Sequence, residues 1–175
     1  MGKRSDFERV DRDFYPTPYE AVVPLLPHLA NGCKYAEPCC GDLKLVFHLE
    51  RCGHYCTWAS DIAPRCGAKD MDFSQLNSDH LRGADYIITN PPWDRKILHP
   101  MIDHFCRLKP TWLLFDADWI HTKQSVRFMP WLVKIVSVGR VKWIPDSKMT
   151  GKDNCAWYLF DARHNGMITE FVGRV

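Results

Sequence analysis

The apolar, β-branched run "ADYIIT" gives way at Asn90 to Pro91, Pro92 and Trp93. An asparagine side chain carries a neutral carbonyl oxygen, and the Pro91 carbonyl supplies another beside it. Proline fixes its own φ and biases the preceding residue toward extended backbone, so both oxygens are held rigidly. Such a pair suits the two hydrogens of an exocyclic aromatic amine, whose lone pair is otherwise delocalised into its ring. Holding those hydrogens favours the pyramidal nitrogen needed to attack a methyl group, and rigid placement is what electrostatic preorganisation requires. Trp93 adds a flat face for stacking on a base. Asn-Pro and Pro-Pro are also ordinary turn punctuation after a strand, so the rest of the chain must choose between the two readings.

A second group of residues surrounds "EPCCGD" at positions 37–42. A turn with a small residue such as Gly41, ahead of a helix, lets backbone approach a ligand and offers helical N–H donors. Asp61 lies 24 residues beyond Glu37 and ends the next strand-like run. That spacing suits a carboxylate that accepts both ribose hydroxyls of a nucleoside, with Ile62 as an apolar wall for its base. The Gly-x-Gly-x-x-Gly pattern of dinucleotide folds is absent, and Leu43 stands where a second glycine would fall. The loop holds Glu37 and Asp42 and no lysine before Lys44, which disfavours a pyrophosphate and favours a cationic ligand. S-adenosylmethionine, with its ammonium and sulfonium, meets that description. Incidental acids on a strand–turn–helix remain the alternative.

These residues need a scaffold, and the pattern supplies one. "TPYEAVVPLLPHLANG" reads as a short helix interrupted by prolines. "CKYAEPC" is a strand, followed by a helix over "LKLVFHLERCG" with Asp42 as N-cap. "YCTWASD", a short segment around "AKDMDF", and "ADYIITN" are further strands. "KILHPMIDHFCRLK" is helical up to Pro110, and "TWLLFDAD" is a strand. "KQSVRFMPWLVKIVSV" reads as mostly helical with a break near Pro130, and "RVKWIP" and "CAWYLFDA" as a closing hairpin. Alternating strands and helices indicate an α/β domain with a mainly parallel sheet and an antiparallel C-terminal edge hairpin. Ligands of such sheets bind beyond the C-terminal strand ends. Those ends carry Glu37, Asp61, Asp72, Asn90 and Asp116.

The 175 residues suit a single domain over 1–175, with a charged arm at 1–13. No apolar run approaches the ~20 residues of a membrane span, and the start lacks a signal peptide's apolar core. The expected location is therefore intracellular and cytoplasmic, with no membrane partner. In that compartment the eight cysteines are expected as buried free thiols. Cys52, Cys56 and Cys66 lack the second matched pair of a zinc site, so no metal is expected. Residues 121–152 hold seven Lys or Arg against one acid, in a chain of net charge +2. That segment is either a solvated face or the place where a polyanion lies.

Taken in order, "FYPTP", "EPCCGD", "SDI", "MDF" and "NPPW" resemble the S-adenosylmethionine-dependent DNA adenine-N6 methyltransferases. The likeness is greatest to small, phage-encoded members with the γ-type motif order, and runs from about residue 14 to 161. "SKMTGKDNCAWYLFD" is similar to the closing hairpin of those enzymes. The resemblance implies a Rossmann-like class I methyltransferase fold with S-adenosyl-L-methionine as cofactor. It implies Thr17 at the methionine carboxylate with Tyr15 nearby, and Glu37, Cys39 and Gly41 along the methionine end. Asp61 and Ile62 would meet the ribose and adenine, and Asp72 with Phe73 the adenine amine, Asp70 being a rival for that role. Asn90, Pro91, Pro92 and Trp93 would hold a target adenine flipped from double-stranded DNA. Lys148 and Lys152 would meet phosphates.

Leu43 departs from the family's second glycine, and the chain lacks the separate target-recognition domain of longer relatives. Recognition would then rest on loops such as "DRKILHP" and "DSKMTGKDN" or on a homodimer, or the chain would have little specificity at all. Methylation of an RNA base or of protein glutamine is an alternative. So is a non-catalytic subunit that binds nucleic acid or a partner.

Overall fold

The strand-like runs assemble into one sheet. The computed structural model describes residues 15–144, 151–164 and 168–174. In chain order the elements are α1 (Tyr19–Val22), β1 (Lys34–Glu37), α2 (Lys44–Arg51), β2 (Tyr55–Asp61), β3 (Lys69–Asp70), β4 (Tyr86–Thr89), α3 (Arg95–Leu108), β5 (Thr111–Asp116), β6 (Leu132–Arg140), β7 (Asn154–Phe160) and β8 (Glu170–Val172). The strands lie in the order β3-β2-β1-β4-β5-β7-β6-β8. β7 runs antiparallel to both β5 and β6, and every other pairing is parallel.

Alternation along the strands divides the core into two layers. Tyr35, Ile88, Trp112 and Leu114 face α1, the turns after it and α2, meeting Leu25, Leu45 and Leu49. Ala36, Ile87, Leu113 and Phe115 face the other way, toward Leu98, Ile102 and Phe105 of α3. Those three positions recur at helical spacing and line one face of α3. Phe105 is fully buried, so Phe105→Ala should cost roughly 3–5 kcal/mol. The indole N–H of buried Trp157 donates to the Ala21 carbonyl at 2.7 Å, tying α1 to the far half of the sheet.

Several expected elements come out differently. Leu43, not Asp42, is the N-cap of α2; Asp42 accepts from the Lys44 N–H instead. The third strand is only Lys69–Asp70, because Asp72 caps a 3₁₀ turn over Phe73–Gln75. The helix expected over 123–138 is a 3₁₀ turn at Val126–Trp131 followed by β6. Pairing with β7 overrides the helical reading of "LVKIVSV". The strand expected at "RVKWIP" therefore ends at Arg140. "DRKILHP" is no loop: Asp94 caps α3, which begins at Arg95. The closing hairpin is β6–β7, with β8 outside it on the edge.

Candidate active site

The site lies where the sheet's connections change direction. β1 and β4 are neighbours at its centre, yet the chain leaves β1 toward β2 and β4 toward β5. In a parallel sheet this opens a crevice beyond the C-terminal strand ends. The loop 38–43 borders one side and Asn90–Trp93 the other.

The first loop is braced from β2. The Cys40 N–H donates to the Ser60 carbonyl at 3.0 Å, and Arg65 N–H to the Gly41 carbonyl at 3.0 Å. Gly41 N–H donates to Asp61 Oδ2 at 2.9 Å, while Asp61 Oδ1 accepts from Ala63 N–H at 2.8 Å. Asp61 thus braces the loop through Oδ2 and its own turn through Oδ1, each oxygen with a lone pair left for another donor. Gly41 and Leu43 both adopt positive φ, +50° and +63°. Leu43 is the one non-glycine residue with positive φ among the described residues, a conformation costing about 1–2 kcal/mol for an L side chain. The position where glycine was expected does take a glycine-like backbone, and leucine tolerates it under strain.

Next to Asp61, Ile62 is 60% exposed and offers a bare apolar surface. Asp72 follows the end of β3 beside half-buried Phe73, while Asp70 is an exposed member of the strand. A bond to Ser74 holds the Asp72 carboxyl below the usual aspartate range. Asp116, at the end of β5, is pushed up by burial against a backbone hydrogen bond from Asp118.

Glu37 is 2% exposed, and its Oε2 is buried with no hydrogen-bond partner. Burial first, and then the charges of Asp61 and Asp42, hold its carboxyl well above the ordinary range. A buried acid without a cation is costly, and this one stands under the loop. Cys39, half-buried beside it, has its thiol raised by burial.

Across the crevice, Asn90 is held at both ends of its amide. Nδ2 donates to Thr17 Oγ1 at 3.2 Å and to the Tyr15 carbonyl at 3.4 Å. Oδ1 accepts from Trp93 Nε1 at 3.4 Å, and that indole N–H also reaches the Leu114 carbonyl at 3.2 Å. Thr17 is 4% exposed. The structure therefore brings "YPT" and "NPPW" together. Trp93 is half-buried, its ring edge-on to Trp143 with centroids 5.8 Å apart. Trp143 lies 6.4 Å from the Tyr15 ring as well. Sequence reasoning missed Trp143 because it placed this residue inside a strand. Gly151 is needed beside it: a Cβ there would come within 2.9 Å of the Val141 carbonyl and 3.2 Å of the Trp143 ring.

The basic segment does not form one face. β6 runs parallel to β5, so Arg140 ends at the site's rim, paired with Asn154. Lys134 sits near the opposite end, bridged to Glu170 at 2.8 Å. Exposed Lys152 follows Gly151 near the rim, and Lys148 and much of its loop lie outside the described residues. All eight cysteines are thiols. Cys33, Cys40, Cys106 and Cys155 are buried as expected, but Cys66 is exposed and bonds the Gly41 carbonyl.

No family model matches the chain, and no curated protein matches it in sequence. Solved structures do match in shape. A dimethyladenosine transferase from Plasmodium falciparum superposes with a TM-score of 0.56 at 13% identity, over 89% of this chain and 65% of that one. A candidate RNA methyltransferase from Pyrococcus horikoshii gives 0.54 at 16% identity, over 84% and 85%. The fold is that of the class I methyltransferases. The type IIG restriction endonuclease BpuSI gives 0.53 at 12% identity, over 83% of this chain and 25% of its own. The chain thus spans just under two thirds of the Plasmodium enzyme and a quarter of the endonuclease. Among the described residues, no helix of this class I methyltransferase fold is long and apolar enough to cross a membrane.

Proposed function

We propose that the chain is an S-adenosylmethionine-dependent methyltransferase acting on the exocyclic N6 amine of adenine in DNA. The observation that carries the reading is the placement of Asn90–Trp93 beside the acidic loop at the sheet's switch point, with Asn90 Oδ1 held as an acceptor. The buried, unpartnered Glu37 Oε2 leaves an acceptor for a ligand's donor, such as an ammonium group. Glu37, Cys39 and Gly41 would line the methionine end, with Thr17 and Tyr15 opposite. Asp61, Ile62, Asp72 and Phe73 would receive the nucleoside. Bound there, S-adenosylmethionine supplies a sulfonium methyl group, whose transfer breaks the C–S bond, forms the N–C bond and releases the amine's proton to water. Asn90 Oδ1 and the Pro91 carbonyl accept the amine's hydrogens and keep its lone pair available. Trp93, with Trp143 beside it, offers aromatic surface to the extruded base.

Transfer of a labelled methyl group to duplex DNA, RNA and protein tests this. Label should appear on adenine in DNA, and Asn90→Ala should slow a single turnover by about 10²–10³-fold. Unchanged transfer by Asn90→Ala would sink the amine mechanism. RNA adenine is the second reading, favoured by the names of two of the structures of like shape. Label on RNA alone would select it.

A further inference from the structure

Asn90 can serve an amine only if its oxygen, rather than its nitrogen, points at the substrate. The two halves of a side-chain amide have nearly the same shape, so packing alone does not choose between them. Hydrogen bonds do. The Tyr15 carbonyl can only accept, so the group facing it at 3.4 Å must be the Nδ2 donor. The Trp93 indole N–H can only donate, so the group facing it at 3.4 Å must be the Oδ1 acceptor. A flipped amide would set oxygen against oxygen at one end and N–H against N–H at the other.

Thr17 completes the arrangement. Its hydroxyl accepts the other Nδ2 hydrogen at 3.2 Å, and the residue is 4% exposed, so water competes poorly for that bond. With Tyr15 and Thr17 together, both Nδ2 hydrogens are taken. Oδ1 has two lone pairs, and Trp93 uses one. One acceptor position remains, and the amide has no free donor that could compete for the substrate.

We infer that Thr17 is a positioning residue for the methyl-transfer step. The Tyr15 carbonyl and Trp93 set the flip state of the Asn90 amide, and Thr17 holds the amide in that state by accepting the second Nδ2 hydrogen, so that a lone pair of Oδ1 is presented to the target amine. This rests on the adenine-amine reading above, and it gives Thr17 a task distinct from holding the cofactor. The contact joins segments 73 residues apart, so the acceptor is complete only when the stretch before α1 is docked.

Thr17→Val keeps the shape and removes the acceptor; Thr17→Ser keeps the acceptor. Three measurements decide the matter: exchange of the Asn90 side-chain amide hydrogens by NMR, S-adenosylmethionine affinity by calorimetry, and single-turnover methylation of adenine-containing duplex DNA. In Thr17→Val the Asn90 hydrogens should exchange faster, and the turnover at saturating S-adenosylmethionine should slow by about 10-fold. Thr17→Ser should restore both. Unchanged exchange in Thr17→Val overturns the inference, and so does a loss confined to cofactor affinity. A wild-type chain that transfers no methyl to adenine overturns the parent reading alone. The exchange measurement still decides the lock in that case, because it needs no substrate.

Discussion

The Gly41 backbone N–H and the Asp61 carboxylate meet at 2.9 Å, so the acid expected at a ribose also holds the loop opposite it in shape. Asp61→Ala should therefore do two things. It should lower stability by about 1–3 kcal/mol, because Gly41 and Ala63 lose their shared acceptor. It should also weaken S-adenosylmethionine binding. Urea unfolding and calorimetry measure the two effects separately. A variant of undiminished stability would show that the brace carries no weight.

Glu37 should make stability depend on pH. Burial and the Asp61 and Asp42 charges hold its carboxyl above the ordinary value of 4.5. The folded chain then keeps this proton more tightly than the unfolded one. The stability it contributes is complete below about pH 4.5 and is lost as pH rises through the folded-state value. Glu37→Gln, which never ionises, should show a flatter stability profile as pH rises above about 4.5. Parallel profiles for the two proteins would remove the buried proton.

Leu43 stores strain at φ +63°. Leu43→Gly relieves it but loses apolar contact and gains unfolded-state freedom, so stability should stay within about 1 kcal/mol of the parent. Leu43→Val should fall below Leu43→Gly, because a β-branched residue fits left-handed backbone worst. Chemical denaturation ranks them, and the reverse order would argue against strain.

The rim and the far end should differ toward nucleic acid. Arg140→Ala and Lys152→Ala should each flatten the salt dependence of DNA binding by up to about 0.9 in log–log slope. Lys134→Ala, at the opposite end and already paired with Glu170, should leave the slope alone. Equal effects from all three would mean a diffuse charge with no docking face.

How much of this was legible depended on whether the signal was local. "YIIT" followed by "NPPW" needs only a short apolar run and two prolines, and β4 ends at Thr89 accordingly. Leu132–Arg140 defeated the reading: its apolar residues, broken by Lys134, Ser137 and Gly139, fit either period. Partnership with β7 decided it, and that partner begins only at Asn154. The left-handed turn at Leu43 was marked only by the glycine it lacks. The contacts of Asn90 with Thr17 and of Trp143 with Trp93 are tertiary, with no local trace. The residues of the crevice could be nominated one by one, but which atom faces which could not.

The strand order also bears on how the chain comes off a ribosome. β7 lies between β5 and β6 although it is made after both. Until residue 160 has emerged, both strands present raw edges, and β5 exposes the run Trp112–Phe115. At roughly 5–20 residues per second, the 44 residues separating the end of β5 from that of β7 leave this edge open for seconds. The nascent chain is thus open to stray edge pairing between the completion of β5 and that of β7, and a chaperone that covers the open edges of both β5 and β6 would protect it over that interval.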